Sequence, residues 1–332
     1  MKANTILSGL LAFAVFAAGP LLAADKKKAW TDPKQAKKED PDFALQGEYV
    51  AGGSPALGAQ VVALGSGKFD AYLLEGGLPG AGWTPDQKRT RLSGSLADGA
   101  VEFGEQDGVT AKLSGEGLAV TKGGKTVKLA RTVRKSPTVG MKPPKGAVVL
   151  FGGKDKDAGN WKNGKVVDGL LAASNALSHQ GFKDCTIHIE FRCPYMPHAR
   201  GQGRGNSGVY YGGRWETQVL DSFGLTGEMN ECGGVYSIAK PELNMCLPPL
   251  TWQTYDVEYT HPKFDESGKR TAWPRMTVKL NGVVVHDDIE LNKTHTTAAP
   301  VNGALKDEGS PIFLQNHGNP VFYRNIWVLE KK

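Results

Sequence analysis

Cysteine is scarce, with four in 332 residues. None forms a Cys-x-x-Cys pair or pairs with histidine in a zinc-like pattern, which excludes a disulfide scaffold and a zinc ribbon. No uninterrupted apolar run reaches the roughly 20 residues of a membrane-spanning helix. No long stretch repeats its apolar residues at the helical period, so a helical fold is excluded too. Charge of one sign is also limited. The formal net charge is +6, much of the excess lies in Lys26–Lys28 and Lys34–Lys38, and no basic segment is interleaved with aromatics. Nucleic acid is therefore not an expected partner. A phosphate loop is missing as well. Gly76-Gly77-Leu78-Pro79-Gly80 is followed neither by Gly-Lys-Ser/Thr nor by a helix, and reads as a turn.

What is present is glycine, 43 residues of it, and many short strand-like runs between turns. Lys2, the apolar Ile6–Phe16 and the small-residue Ala17–Ala24 make residues 1–24 read as a secretory signal peptide cleaved before Asp25. The mature chain is expected to be exported, periplasmic or secreted, with no stable membrane insertion after cleavage. Residues 25–42 are Lys-rich, contain Pro33 and Pro41 and lack periodic apolar residues, so disorder is expected there. Residues 43–135 read as a small antiparallel β domain, barrel or sandwich, without a catalytic constellation. Residues 136–146 form a proline-stiffened linker. Residues 147–330 alternate strand and turn, with Asn281-Gly282 a strong hairpin signal, and predict a two-sheet jelly roll. The fold class is all-β.

The stretch Gly205–Asp221 organises the second domain. Ser207–Tyr211 and Trp215–Leu220 read as strands joined at Gly212-Gly213. Alternation puts Glu216 and Gln218 on one face, opposite Trp215, Thr217 and Val219. A bulge near Leu220 would bring Asp221 beside Glu216; without it, Asp221 only begins a loop. Asn206 and Tyr210 share a face with Gly208, where a missing side chain would admit a sugar ring. Glu190 and Arg192 share the polar face of Cys185–Cys193, as a substrate clamp or a simple cross-face ion pair. Gln315 and His317 share a face of the penultimate strand, and His317 is either a proton-transfer group or a histidine bonded beside a turn. Cys185 and Cys193 would sit about 26 Å apart along one strand, beyond bridging, whereas Cys232 and Cys246 could staple the loop they flank. The other histidines are scattered, so neither a metal site nor a cofactor is expected. A divalent cation held by loop carboxylates and carbonyls would leave no mark in the sequence.

Residues 147–329 resemble the 3-keto-disaccharide hydrolase family. The resemblance rests on Val149-Leu150-Phe151-Gly152-Gly153-Lys154, Ile189-Glu190-Phe191-Arg192, Asn206-Ser207-Gly208-Val209-Tyr210 and Trp215–Asp221. It continues through Gly233-Gly234-Val235-Tyr236, Trp252–Asp256, Leu280-Asn281-Gly282, Leu314–Gly318 and Tyr323-Arg324-Asn325-Ile326. The loop Cys232–Pro249 departs from the family core. The resemblance implies a concanavalin-like jelly roll acting on oligosaccharides or glycosides already oxidised at the third sugar carbon, with a sugar 3-dehydrogenase acting upstream. A ketone acidifies the neighbouring C–H, so a base can remove that proton, the aglycone can leave by elimination, and hydration completes the cleavage. On this reading Glu216, Asp221 and His317 are the catalytic set. Glu190, Arg192, Asn206, Tyr210, Gln218, Tyr236, Gln315 and Arg324 are the substrate-binding set, with Arg192 also a candidate to stabilise the enolate. A lectin-like glycan-binding sandwich is the alternative. A retaining glucanase on the same fold would need Glu-x-Asp-x-x-Glu, and the run Glu216–Asp221 lacks the middle carboxylate.

Overall fold

Two-residue turns with positive φ set the grain of the chain. Asp98-Gly99 (49° and 78°) and Asn281-Gly282 (52° and 82°) are of this kind. They close hairpins whose flanking residues pair directly, Ala97 with Ala100 and Leu280 with Val283. Their twist matches that of the strands they join. The computed structural model describes residues 28–53 and 56–331. The expected signal peptide and the first residues of the Lys-rich segment lie outside the described residues. No helix among the described residues is long and apolar enough to cross a membrane.

Eight antiparallel strands from Gly47–Ala51 to Lys125–Thr132 form a closed barrel. The first strand seals it by pairing with both Leu57–Gly65 and Lys125–Thr132. Small, branched and aromatic residues, including Ala59, Val61, Ala63, Phe69 and Ala71, fill its interior. Residues 28–42, expected to be disordered, are ordered instead. Pro33–Glu39 and Pro41–Leu45 are short helices capped by Asp32 and Asp40. The two prolines occupy first-turn positions, where no backbone N–H is missed. Trp30 and Ala36 are buried, with the Trp30 ring tilted against Tyr195 at 5.4 Å between ring centroids. Those apolar anchors outweigh the lysine content.

The rest is an antiparallel sandwich. Its larger sheet places Phe322–Glu330 between Cys185–Arg192 on one side and Leu170–Ala172 with Val148–Phe151 on the other, then continues through Gln253–Thr260, Arg275–Leu280 and Val283–Glu290. The five-stranded sheet runs Trp161–Lys162, Ala176–Phe182, Ser310–Leu314, Ser207–Tyr211 and Trp215–Val219. Ile187, Ile189 and Phe191 face Val209, Tyr211, Trp215 and Val219 across one shared core.

The segment between the barrel and the sandwich is a strap. Ser136 and Thr138 bond to Thr254 and Asp256, and Gly140 N donates to Glu190. Asn325 Nδ2 donates to Met141 O at 3.0 Å. The two cores also interlock. Val62 and Tyr72 of the barrel pack into the sandwich core, and Tyr195 and Leu250 of the sandwich pack into the barrel core.

Candidate active site

The central hairpin is built as its alternation requires. Gly212 and Gly213, both at φ 63°, turn the chain, and the register runs unbroken from Ser207↔Val219 to Tyr211↔Trp215. Tyr210 therefore lies opposite Glu216, and Gly208 opposite Gln218, on the face away from the core. That face floors a narrow cleft of about 80 Å³, well below the size of drug-sized ligand pockets. Glu216 and Gln218 form the floor, and Gln315 and His317 enter just beyond the end of Ser310–Leu314. Gln202 and Asn206 come from the loop ahead of Ser207. Tyr236 and the Thr297–Ala298 turn complete the wall.

Glu216 is 3% exposed. Tyr210 donates to its Oε2 at 2.8 Å, and Gln315 Nε2 donates to the Tyr210 oxygen at 3.1 Å. Burial pushes the Glu216 carboxyl up to about 8, against the opposing effect of the Tyr210 hydrogen bond. A carboxyl that exchanges its proton near neutrality is suited to general acid–base work. Burial also raises the Tyr210 phenol, with the Glu216 charge second, so Tyr210 stays a neutral donor. Gln218 spans the floor. One end of its amide lies 2.9 Å from Gln202 Oε1, and the other lies 2.7 Å from Glu216 Oε1. A Cβ at Gly208 would sit 2.2 Å from Glu216 Oε1. The glycine thus makes room for the carboxyl, and not for a sugar ring.

A model of the 3-keto-alpha-glucoside-1,2-lyase-like domain matches residues 146–329, more than half of the chain. The chain belongs to that family. A solved structure from Parabacteroides distasonis ATCC 8503, provisionally named a glycosyl hydrolase, is 32% identical to this lyase-like chain. It aligns over 57% of this chain and 85% of its own, with a TM-score of 0.50. A second structure from that organism with the same provisional name is 18% identical over 56% of this chain and 95% of its own, with a TM-score of 0.39. No curated protein matches the chain. The resemblance read from the sequence motifs is borne out, and the lyase-like domain is a glycosyl-hydrolase-like, carbohydrate-active all-β fold.

Of the residues singled out in the sequence, Glu216, Gln218, Asn206, Tyr236, Gln315 and His317 meet in one cleft of the lyase-like domain. Tyr210 is fully buried behind the cleft floor and bonds to Glu216, so it positions the carboxyl. Asp221 is elsewhere. The strand ends at Val219, before the expected bulge near Leu220, and Asp221 pairs with Arg204 at 2.7 Å. Arg204 also donates to Ala63 O of the barrel, so this ion pair belongs to the seam between the two units.

Glu190, Arg192 and Arg324 lie on the larger sheet, away from the cleft. The strap covers Glu190, which also pairs with Arg324 at 2.7 Å, and both arginines stack on Trp252. His188, next to Glu190, bonds to Asp256 at 2.6 Å. Burial works against its charge, but Asp256 and Glu190 prevail and raise it. Burial would raise Glu190, yet His188, Asn325, Gly140 and Arg324 bring it down to about 2.

Cys232 and Cys246, expected to staple the loop, lie side by side with their sulfurs unbonded. Both are buried free thiols, and the loop is held by other bonds. Gly233 N donates to Tyr255 Oη at 2.7 Å, and Asn244 Nδ2 to Ser222 O and Leu225 O. Gln202 and the Thr297–Ala298 turn were missed, since no strand pattern or motif marks a loop residue that meets the site only through folding.

Proposed function

We propose that this chain is an exported enzyme that cleaves 3-keto-glycosides by elimination and hydration. The observation that carries the reading is Glu216, a lone buried carboxyl raised to about 8, on the floor of a cleft otherwise lined by amides, hydroxyls and His317. A base takes the hydrogen from C2, next to the ketone, and its electron pair forms the enolate. As the C1–O bond breaks, the leaving oxygen collects a proton and the aglycone departs. Water then adds its oxygen to C1 and a proton returns to C2, so the net change consumes one water. Glu216 and His317 are the proton-transfer groups of this scheme, and Gln218, Asn206, Gln315 and Tyr236 are the sugar-binding groups. An enzyme that oxidises sugars at carbon 3 would supply the substrate. The signal-peptide pattern of residues 1–24 supports export.

The test is incubation of the purified protein with paired disaccharides, one oxidised at carbon 3 and one not, with detection of the released monosaccharide. Release from the oxidised member alone is expected. Release from both would make it an ordinary glycosidase. Tight binding without turnover across a panel of keto-sugars would make it a glycan-binding sandwich.

A further inference from the structure

Main-chain carbonyl groups cannot turn round, and two of them fix the polarity of a run of amides leading to Glu216. Gln202 Nε2 donates to Asn230 O at 2.7 Å, which turns Gln202 Oε1 inward. Asn206 Nδ2 donates to Gln202 main-chain O at 2.8 Å and to Gln202 Oε1 at 3.1 Å. Its own oxygen is thereby left facing Gln218. The inner end of the Gln218 amide thus meets three oxygens: Gln202 Oε1 at 2.9 Å, Asn230 O at 3.3 Å and Asn206 Oδ1 at 3.4 Å. Only the nitrogen suits that place, because an amide oxygen there would face three acceptors.

The carbonyl oxygen of Gln218 is then the atom that lies 2.7 Å from Glu216 Oε1 and 3.2 Å from Ser207 O. The Ser207 carbonyl is one non-bonded contact on that side, against the three acceptors that the inner end would meet in the reverse orientation. The 2.7 Å separation from Glu216 is that of an O–H···O hydrogen bond. The amide oxygen does not carry the proton, so the carboxyl does. On the other carboxyl oxygen, Tyr210 donates to Oε2, as suits the carbonyl oxygen of a neutral acid. We propose that the Gln202–Gln218 amide relay holds Glu216 as the neutral carboxylic acid, so that it enters the reaction as proton donor to the leaving glycosidic oxygen, with Gln202 as the positioning residue. The chemical role rests on the 3-keto-glycoside reading above; the protonation state does not.

The surroundings agree. The titratable groups around Glu216 are Tyr210 from the paired strand and Tyr236 and His317 from the rim; Tyr323 of the larger sheet feels its charge from the core side, where its hydroxyl bonds to Ser207. Among the described residues, no lysine or arginine pairs with it. Burial acts in the same direction as the relay. In the reaction, an incoming glycosidic oxygen replaces Gln218 as acceptor. The proton moves to that oxygen as C1–O breaks, and Glu216 is left as carboxylate. In the hydration half, water gives its oxygen to C1 and its proton to Glu216. The base, His317 in the scheme above, returns its proton to C2, and both groups end as they began.

The experiment is infrared difference spectroscopy of the full chain across pH 5 to 9, following the carboxylic-acid carbonyl band that Glu216→Gln removes. The band is expected to persist through pH 7 in the unmutated protein. Gln202→Met keeps the length of the side chain but removes the donor and acceptor that lock the relay. Gln218 can then turn its nitrogen to the carboxyl and favour the carboxylate, so the band should disappear at least one pH unit lower. If 3-keto-disaccharide is turned over, the basic limb of kcat/KM should move down with the band, by about tenfold in rate near pH 8 and little at pH 6. A purely structural role for Gln202 would lower activity equally at all pH values. Ionised Glu216 at pH 6.5, or an unmoved band in folded Gln202→Met, would overturn the proposal. A persistent band with no turnover of any keto-sugar would overturn the substrate reading and leave the relay standing.

Discussion

Gly208→Ala tests the site with a single methyl group. Gly208 has none of the positive φ values of the turn glycines, so the backbone accepts alanine and the objection is space alone. The new Cβ would lie 2.2 Å from Glu216 Oε1, 2.8 Å from its Cδ and 2.9 Å from Tyr210 Cε2. Ordinary contact needs the carboxyl to move by roughly 1 Å, out of reach of the Tyr210 hydroxyl and the Gln218 amide. Because a side chain yields and not a strand, the stability cost should fall near the lower end of the ~1–3 kcal/mol usual for overpacking. A 1 Å misplacement of a reacting group can cost on the order of 10²-fold in rate, and that is the expected fall in kcat/KM on a 3-keto-disaccharide. The assay is a cycle of Gly208→Ala, Glu216→Gln and the double variant, with thermal melting on each. In the Glu216→Gln background the methyl should cost less than about threefold, since the group it displaces no longer transfers a proton. Full activity in Gly208→Ala would refute the placement of Glu216 in the chemistry.

Glu216→Gln itself should lower the rate by about 10²–10⁴-fold while sugar binding by calorimetry survives. Folded Glu216 titrates at about 8 against an ordinary 4.5. Between those values the folded state holds the extra proton, so stability should fall as pH rises, by up to about 1.4 kcal/mol per pH unit. Urea unfolding from pH 5 to 8 should show that slope flattened in Glu216→Gln. Asp221→Asn should leave Arg204 as an uncompensated buried charge and cost about 3–5 kcal/mol, with turnover per folded molecule unchanged. His188 is raised above its ordinary 6.5. Its contribution should be complete below pH 6.5 and lost as pH rises through the folded value, a loss that His188→Gln should abolish in the same unfolding measurements. All four cysteines are buried thiols, so a thiol reagent should find none in the folded protein and four after unfolding.

Strand alternation was enough to put Glu216 and Gln218 on one face, because a period of two leaves no freedom once the turn at Gly212-Gly213 is placed. Asp221 lies past the last paired residue, Val219. Its partner Arg204 is on a loop that only the folded chain brings near. The same limit applies to Glu190. A polar strand face reads alike whether a cleft or a strap lies over it, and Ser136–Met141 has no pattern that announces which sheet it will cross. The Lys-rich segment misled for a related reason. Composition registers its charge, whereas its order depends on Trp30 and Ala36 meeting apolar surface contributed by Tyr195 and the barrel.

The position of Phe322–Glu330 bears on how the chain comes to be folded during synthesis. This strand is made after all the other described strands, yet it lies inside the larger sheet, with partners on both sides. The barrel strands pair mostly with neighbours in sequence, and even the closing pair of first and last strands is complete by residue 132, so the barrel can close while the ribosome is still translating the sandwich. The sandwich cannot, since Cys185–Arg192 and Val148–Phe151 wait for a partner some 140 to 180 residues downstream. Until it arrives, both present open edges and an uncovered apolar face, the surfaces through which nascent chains aggregate. Holdase chaperones that bind extended apolar strands would therefore find their sites in this half of the nascent chain.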